Sequence, residues 1–246
     1  MTILSVDSVA KRFGRTSVLS AASLSVEAGR ITILFGRNGC GKTTLIRIVT
    51  GYVSADAGHV MFLGRRRPKP RLHDMAAEGL FFMPDRYLLT RGRAVADHFE
   101  LLARRFGRNR VREAIDRMDI GDLLERTRER LSGGEIRRAE LALALAREPV
   151  CLIADEPFQG VAPKDAETVA AALRELASRG AALLITGHET ETLLDTGDTV
   201  VWMTAGTTHA LGSPADARGH DQFRRDYLGP VSPFPAVAAH PAGTRV

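Results

Sequence analysis

This sequence of 246 residues is poor in the features that mark secreted and membrane-spanning proteins. Its 2 cysteines, Cys40 and Cys151, are too few for a disulfide framework and lack the spacing of metal ligands. The longest apolar runs, AELALALA and AALLIT, are far shorter than the roughly 18 residues of a membrane-spanning helix. The start, MTILSVDSVAKRF, has its basic residues after the apolar ones, the reverse of a secretory signal. We therefore expect a cytoplasmic protein.

Positive charge is in mild excess, with a net charge of +5. The arginines are scattered except for one cluster, RRRPKPR, from Arg65 to Arg71. The two prolines of the cluster predict a solvated loop, and contact with acidic lipid headgroups or an acidic partner is the alternative. The cluster lacks the interleaved aromatic residues of a single-strand binder, so we expect no nucleic-acid partner.

Apolar runs of strand length alternate with segments of helical periodicity along the chain. ILSVDSV and LSAASLSV predict an antiparallel edge, and RITILF, LFFM, VCLIAD and AALLIT predict buried strands. Helices are predicted through KTTLIRIVT, through IRRAELALALA and from Ala166 to Ser178. This alternation predicts an α/β fold with a mostly parallel sheet.

The composition changes between Arg93 and Arg130, where charged residues recur at helical spacing, which indicates a helical insert. We place one domain at residues 1–228. Its core comprises residues 1–88 and 131–228, and its helical subdomain comprises about residues 89–130 with the start of the next helix. The end, GPVSPFPAVAAHPAGTRV, has no periodicity, and residues 229–246 are predicted to be a disordered tail.

A glycine-rich stretch, GRNGCGKTT, follows a predicted buried strand and opens a predicted helix. It matches the pattern G-x-x-x-x-G-K-[ST], in which backbone N–H groups and a helix N-terminus converge on phosphate. Lys42 is predicted to reach the β- and γ-phosphates, and the Thr43 hydroxyl to ligate Mg²⁺. The predicted nucleotide-binding residues of this loop are Gly36, Asn38, Gly39, Cys40, Gly41, Lys42, Thr43 and Thr44.

A pair of carboxylates follows the apolar strand in CLIADEP. In open parallel sheets, ligands bind at the carboxyl ends of the strands. Asp155 is therefore predicted to hold the metal ion, and Glu156 to polarise a water for in-line attack on the γ-phosphate. The alternative is a surface turn, but the apolar strand and the phosphate loop favour catalysis.

A second anion-binding helix start is predicted at LSGGE, residues 131–135. The stretches GRNGCGKTT, LSGGE, CLIADEP and LLITGHE, in this order, resemble the ATP-binding subunit of ABC transporters, over about residues 4–228. The resemblance implies the ABC ATPase fold, a P-loop NTPase core with a helical insert. It also implies ATP and Mg²⁺ as cofactors and ATP hydrolysis coupled to transport.

The resemblance further implies roles for single residues. Two ATP-binding subunits, identical or different, face head to tail, so that Ser132 and Gly134, with Gly133 between them, contact the ATP held by the opposite subunit. His188 contacts the γ-phosphate and orients the attacking water. Phe13, in KRFG, stacks on adenine, or else is a core residue of an edge strand. The implied partners are transmembrane permease subunits, which would hold the chain at the inner face of the cell membrane.

Two positions depart from the family pattern. Asp85 stands where the family usually has a glutamine; it remains a predicted Mg²⁺ ligand but adds negative charge beside the triphosphate. Ala162 stands where an acidic residue is usual. These departures leave open a catalytically weakened or regulatory ABC subunit, and a soluble ABC ATPase without a transport role is the other alternative.

Overall fold

A ten-stranded β-sheet organises residues 1–228, the part of the chain that this computed structural model describes. The strands are β1 (Thr2–Phe13), β2 (Thr16–Glu27), β3 (Ile31–Gly36), β4 (Ala57–Phe62), β5 (Arg65–Arg67), β6 (Leu80–Met83), β7 (Cys151–Ala154), β8 (Ala182–Thr186), β9 (Thr199–Thr204) and β10 (Thr207–Gly212). The helices are α1 (Lys42–Val49), α2 (Leu72–Ala77), α3 (Val95–Phe106), α4 (Arg108–Arg117), α5 (Gly133–Arg147), α6 (Pro163–Ser178), α7 (Thr190–Thr196), α8 (Pro214–Gly219) and α9 (Asp221–Tyr227). Among these helices of the described residues, none combines the length and hydropathy that a bilayer span demands. The predicted disordered tail, residues 229–246, lies outside the described residues.

Strand direction divides the sheet into two halves. Its order is β5-β4-β1-β2-β10-β9-β3-β8-β7-β6. Neighbouring strands from β9 to β6 are parallel, whereas β5, β4, β1 and β2 pair antiparallel. A parallel pair of Thr207 with Ala21 joins β10 to β2 and so connects the halves. The predicted α/β fold, with a mostly parallel sheet and an antiparallel amino-terminal edge, is confirmed.

The central strands are buried on both faces, and each face packs against a different hydrophobic cluster. Along β3, Ile33 and Phe35 belong to the cluster that contains residues of α5 and α6. Leu34, between them, belongs to the cluster that contains residues of α1. Because side chains alternate across a strand, a strand covered on both sides requires a continuous apolar run such as RITILF.

The parallel strands bring several loops to one edge of the sheet, because their carboxyl ends point the same way. The glycine-rich loop follows β3 and the Asp85 loop follows β6. Asp155 follows β7, and His188 follows β8. The topology therefore gathers most of the predicted site residues at this edge.

The stretch for which the sequence predicts a helical insert contains α3 and α4. Phe99 of α3 and Val111 of α4 are buried in the same cluster as Ile136 of α5. Two 3-10 turns, Gly121–Leu123 and Arg128–Arg130, lead from α4 to α5. These helices thus pack onto α5, while the boundaries of the domain and its helical subdomain stay predictions.

The prediction of a solvated loop for RRRPKPR is wrong for its first three residues. Arg65–Arg67 form β5, an edge strand antiparallel to β4. The guanidinium of Arg67 lies 5.9 Å from the ring centroid of Phe62, and Arg67 forms an ion pair with Glu78. Pairing with β4 and these two contacts impose the strand on a triplet that has no strand pattern of its own.

Helix α6 begins at Pro163, three residues before the predicted start at Ala166. Proline is favoured in the first turn of a helix, where its missing N–H would have no intrahelical partner. The sequence also gave no prediction of α2, α8 and α9, which have six, six and seven residues. Helices this short show too little periodicity to be recognised.

Candidate nucleotide-binding site

The glycine-rich loop runs from the end of β3 to the start of α1. Gly41 has a φ of 116° and is the N-cap of α1, with no side chain bonded to the free amides. A Cβ on Gly36 would lie 2.3 Å from the Sγ of Cys40, which is half-buried, and 3.0 Å from the carbonyl oxygen of Met203, so a larger residue there would force these neighbours to shift. The first N–H groups of α1 are therefore open to an anion.

Lys42, the lysine of this loop, is 7% exposed. Its ammonium group donates a hydrogen bond to the carbonyl of Gly36. Because an ammonium carries three donors, two remain for the phosphates of a nucleotide. Asn38 and Gly39 are exposed in the loop, and Thr44 is half-buried in the first turn of α1.

Thr43, Asp85 and Asp155 line one cleft of about 500 Å³. Mg²⁺ prefers oxygen ligands, takes few of them from protein, and completes its shell with water and substrate phosphates. Within residues 1–228, no three His, Cys, Asp or Glu side chains form a cluster that could hold a metal ion unaided. One hydroxyl and two carboxylates in a cleft thus fit an Mg²⁺ ion that a nucleotide would share.

Asp155 is buried at the end of β7, with 5% of its surface exposed. The Thr186 hydroxyl donates a hydrogen bond to its carboxylate and accepts one from the backbone N–H of Glu156 at 3.1 Å. Burial raises the pKa of Asp155; the Thr186 hydrogen bond opposes this shift, and the charge of Asp85 adds to it. A cation bound beside Asp155 would favour the ionised carboxylate.

Glu156 holds its carboxylate against an imidazole. Its Oε1 lies 3.0 Å from Nε2 of His188. Burial raises the pKa of the Glu156 carboxyl, the His188 ring opposes the shift, and Asp155 adds to it. The φ of Glu156 is 56°, a left-handed conformation that is unfavourable for a non-glycine residue. A carboxylate whose pKa is shifted upward, in contact with a histidine, has the properties of a general base.

Ser132 is the exposed N-cap of α5, and Gly133 and Gly134 are the first residues of that helix. The Ser132 hydroxyl accepts a hydrogen bond from the N–H of Glu135 at 3.3 Å, and the Glu135 carboxylate accepts one from the N–H of Ser132 at 2.7 Å. The hydroxyl proton therefore remains available to a ligand. No hydrogen bond among the described residues joins Ser132 to the glycine-rich loop.

Phe13, at the end of β1, is 49% exposed, so the alternative of an edge-strand core residue is wrong. The ammonium of Lys11 lies 5.4 Å from the centre of its ring. An exposed aromatic ring can still offer a face for stacking. The role of Phe13 in holding adenine stays a prediction.

A family model described as ABC transporter matches residues 19–159, more than half of the chain. The chain belongs to the ABC transporter family. The lipopolysaccharide export system ATP-binding protein LptB of Haemophilus influenzae is 32% identical over 236 residues, which cover 93% of this chain and 98% of LptB. The sulfate/thiosulfate import ATP-binding protein CysA of Bordetella parapertussis is 35% identical over 242 residues, which cover 93% of this chain and 68% of CysA. This chain is thus an ATP-binding subunit of the ABC transporter family.

This ABC transporter subunit has the fold of solved ATP-binding cassettes. The ADP conformation of an ATP-binding cassette of an ABC transporter matches it with a TM-score of 0.81 at 24% identity, over 94% of this chain and 100% of that chain. A bacterial Atm1-family ABC exporter with ATP bound matches it with a TM-score of 0.80 at 21% identity, over 92% of this chain and 41% of the exporter. At these identities the likeness shows the fold alone, and it confirms the predicted ABC ATPase fold.

A buried ion pair that the sequence analysis missed connects α5 of this ABC transporter subunit to the Asp85 loop. Arg137 and Glu140 are 1% and 0% exposed and lie 2.7 Å apart. Arg137 also donates to the carbonyls of Pro84 and Asp85 at 3.1 and 2.9 Å. Glu140 accepts the N–H of Leu88 at 2.5 Å. IRRAELALALA contains Arg138 as well, but Arg137 and Glu140, opposite charges three residues apart at the start of a mostly apolar helix, are the signal that could have found the pair.

The two departures from the ABC transporter pattern are both exposed. The Asp85 carboxylate accepts the backbone N–H of Arg86 at 2.8 Å. Ala162 is the N-cap of α6 and provides no side-chain cap. An acidic residue at that position would accept a hydrogen bond from a free N–H of the helix, as N-cap aspartates commonly do.

Proposed function

We propose that this chain is the ATP-hydrolysing subunit of an ABC transporter: it pairs around ATP with a second ATP-binding subunit and drives separate transmembrane permease subunits. The observation that carries the proposal is the contact of 3.0 Å between Glu156 and His188. It lies next to Asp155, which shares a cleft with Thr43 of the phosphate loop. A base, metal ligands and a phosphate-binding loop thus occur together.

The hydrolytic chemistry is divided among the residues of this edge. Lys42 and the free amides of α1 hold the β- and γ-phosphates. Thr43, Asp155 and Asp85 hold Mg²⁺, which when bound neutralises charge that develops on the phosphates. Glu156 accepts a proton from the attacking water, and His188 orients that water and contacts the γ-phosphate. Burial raises the pKa of Glu156, which favours its action as a base toward water.

The placement of Ser132 supports pairing: it is exposed at a helix start and, within the described residues, forms no hydrogen bond with the loop of its own subunit. In a head-to-tail pair, each phosphate loop meets the Ser132 helix start of the other subunit, whether the partner is identical or different. The residues proposed to contact one ATP are Phe13, Gly36, Asn38, Gly39, Cys40, Gly41, Lys42, Thr43 and Thr44 of one subunit and Ser132, Gly133 and Gly134 of the other. ATP binding closes the pair, and hydrolysis reopens it.

The movement is passed to permease subunits, which place this chain at the inner face of the cell membrane. The relatives whose names state a direction include an export ATPase and an import ATPase. Both names describe ATP-binding proteins of transport systems, which supports a transport role for this chain.

The test is Glu156→Gln, which keeps the shape of the side chain and removes the base. Turnover should fall by about 10²- to 10⁴-fold, while ATP and Mg²⁺ convert the protein to a stable pair on gel filtration. Glu27→Gln is the matched control. Glu27 ends β2 next to the amino-terminal end of β3, away from the site, in an exposed ion pair with Arg30. Unchanged turnover would remove Glu156 from the role of base, and loss of turnover without pairing would contradict the ATP-bridged pair.

A weakened subunit is the second candidate: burial raises the pKa of Asp155, and the like charge of Asp85 adds to this shift, which disfavours the ionised metal ligand. Asp85→Gln removes this like charge and supplies an amide donor. If Asp85 weakens hydrolysis by about 1.4 kcal/mol, the change should raise Mg²⁺-dependent turnover about tenfold. Equal or lower turnover would show that Asp85 does not impair the site.

A further inference from the structure

The last helix of the described chain lies against the phosphate loop. The Asp226 carboxylate of α9 accepts a hydrogen bond from Nη2 of Arg37 at 2.9 Å. The next residue, Tyr227, has its ring centroid 5.5 Å from that of Phe35. Arg37 is the second residue of the loop, and Phe35 precedes its first glycine. Helix α9 therefore contacts the chain on both sides of Gly36.

Three aromatic rings fix the position of α9 relative to β3. Phe223 is fully buried and lies 5.2 Å from Phe35 at an interplanar angle of 68°. Phe223 also stacks on Tyr227, with ring centroids 4.9 Å apart. Edge-to-face and offset-stacked rings attract each other beyond the effect of their buried area. The helix is thus a firm support next to a loop rich in glycine.

The Arg37–Asp226 ion pair adds a polar contact to this support. The side chain of Arg37 is 70% exposed and that of Asp226 is 25% exposed, so the pair is not shielded from water. Exposed pairs contribute little to global stability. Arg37 lies within a glycine-rich loop, whose backbone has more freedom than other segments, so that even a weak tether restricts it.

We propose that α9 positions the phosphate loop for ATP. Tyr227 supports the entry to the loop through Phe35, and Asp226 holds Arg37. Both are positioning residues that act through the loop and do not touch the nucleotide. The inference rests on the proposed function, because it adds residues to the same ATP site.

A purely electrostatic role of Asp226 predicts the opposite change in ATP affinity. Its negative charge lies beside a site for a polyanion, so a carboxylate that merely repelled phosphate would weaken ATP binding. Removing it would then tighten binding. If the carboxylate positions the loop, removing it weakens binding, and the sign of the change separates the two roles.

A double-mutant cycle with Arg37→Ala and Asp226→Ala tests the ion pair. The measured quantity is the Kd of a non-hydrolysable ATP analogue with Mg²⁺, by calorimetry on the full chain. Each single substitution should raise the Kd by about 3- to 5-fold, and the double variant should resemble Arg37→Ala alone. The coupling should shrink at about 0.5 M salt. Tighter binding by Asp226→Ala, or strict additivity, would overturn the proposal for this pair.

Two substitutions at Tyr227 test the aromatic support. Tyr227→Phe keeps the ring and should keep the Kd, whereas Tyr227→Ala should raise it by about tenfold. The turnover at saturating ATP should change by less than about twofold, because Glu156 and His188 are untouched. A loss confined to turnover, with unchanged Kd, would overturn the positioning role of Tyr227.

The control is Asp221→Ala, at the other end of α9, where Asp221 is exposed and has no ion pair within the described residues. It should leave the Kd unchanged. Thermal unfolding identifies any variant that fails to fold, and if Tyr227→Ala does so, the Arg37–Asp226 cycle still decides the inference. Wild-type protein that binds ATP without hydrolysing it would instead contradict the proposed function.

Discussion

Two helices of this chain begin where an anion is expected, and their first turns differ. Helix α1 follows Gly41 and has no side chain bonded to its free N–H groups. Helix α5 begins with a complete capping box, in which Ser132 and Glu135 satisfy each other's backbone N–H groups. The start of α1 thus leaves its free N–H groups to a ligand or to water. The start of α5 already has the N–H groups of Ser132 and Glu135 satisfied without a ligand.

Burial follows the same division. Lys42, at the start of α1, is almost fully buried, whereas Ser132 at the start of α5 is exposed. A buried ammonium requires a counter-charge or hydrogen-bond acceptors, and the Gly36 carbonyl is a single acceptor. The comparison indicates that the phosphate loop is built around its own nucleotide, whereas the Ser132 helix start is stable while it faces solvent.

The largest effect is expected at the start of α1. Lys42→Ala removes the ammonium from the loop and should raise the Kd for ATP by about 100-fold, since hydrogen bonds to charged groups contribute about 1.5–3 kcal/mol. Calorimetric titration with ATP measures this change. Lys69→Ala, in the exposed basic cluster, should leave the Kd unchanged. If both variants bind ATP equally well, the start of α1 is not the phosphate site.

A third helix start offers an intermediate case. Helix α6 has an N-cap, Ala162, that makes no side-chain hydrogen bond. Ala162→Asp should supply the missing cap and raise the free energy of unfolding by about 1 kcal/mol in denaturant titrations. Ala162→Ser caps without charge and should stabilise similarly, so any effect on turnover seen only with aspartate belongs to its charge. No gain with either residue would mean that this first turn is already satisfied.

The smallest effect concerns pH and the start of α5. The pKa of Glu135 is held below its usual value of 4.5, mainly by the backbone N–H of Ser132. The contribution of this carboxylate is therefore present above pH 4.5 and is lost as pH falls through the lowered, folded-state pKa. Helix α1 has no acidic residue in its first turn and no such dependence.

Glu135→Gln retains an acceptor but does not titrate. Between about pH 5 and pH 2, wild-type protein should lose roughly 0.5 kcal/mol more unfolding free energy than this variant, a small value because the group is partly exposed. Denaturant titrations at several pH values measure the difference. Parallel pH curves for the two proteins would show that the capping box does not depend on the charge of Glu135.

The parallel half of the sheet was predictable because its strands are apolar throughout and end at recognisable loops. RITILF and CLIA are mostly apolar runs, which are typical of a strand covered on both faces. The opposite edge was less predictable, because β5 consists of arginines whose strand conformation depends on pairing with β4. The residues of a short segment do not show which other strand will pair with it.

The candidate site divides in the same way between local and distant information. The glycines of the loop, and Asp155 after its strand, follow from neighbouring residues. The contact of Asp226 with Arg37 joins positions 189 residues apart, and no local pattern in either segment indicates it. The burial of Arg137 was less hidden: a charged residue in a helix ordinarily faces solvent, but Glu140, three residues along the same helix, is a local signal of the pair.

Hydrogen bonds of the buried Arg137 and Glu140 side chains join α5 to the Asp85 loop: Arg137 donates to the carbonyls of Pro84 and Asp85, and Glu140 accepts the N–H of Leu88. Both charges belong to α5, so the connection to the loop consists of these hydrogen bonds, each contributing about 1.5–3 kcal/mol because one partner is charged. Ser132 precedes Arg137 by about 7.5 Å of helix. In the proposed pair of subunits, a displacement of the Asp85 loop would therefore reach the Ser132 helix start, and with it the nucleotide of the opposite subunit, over a short distance.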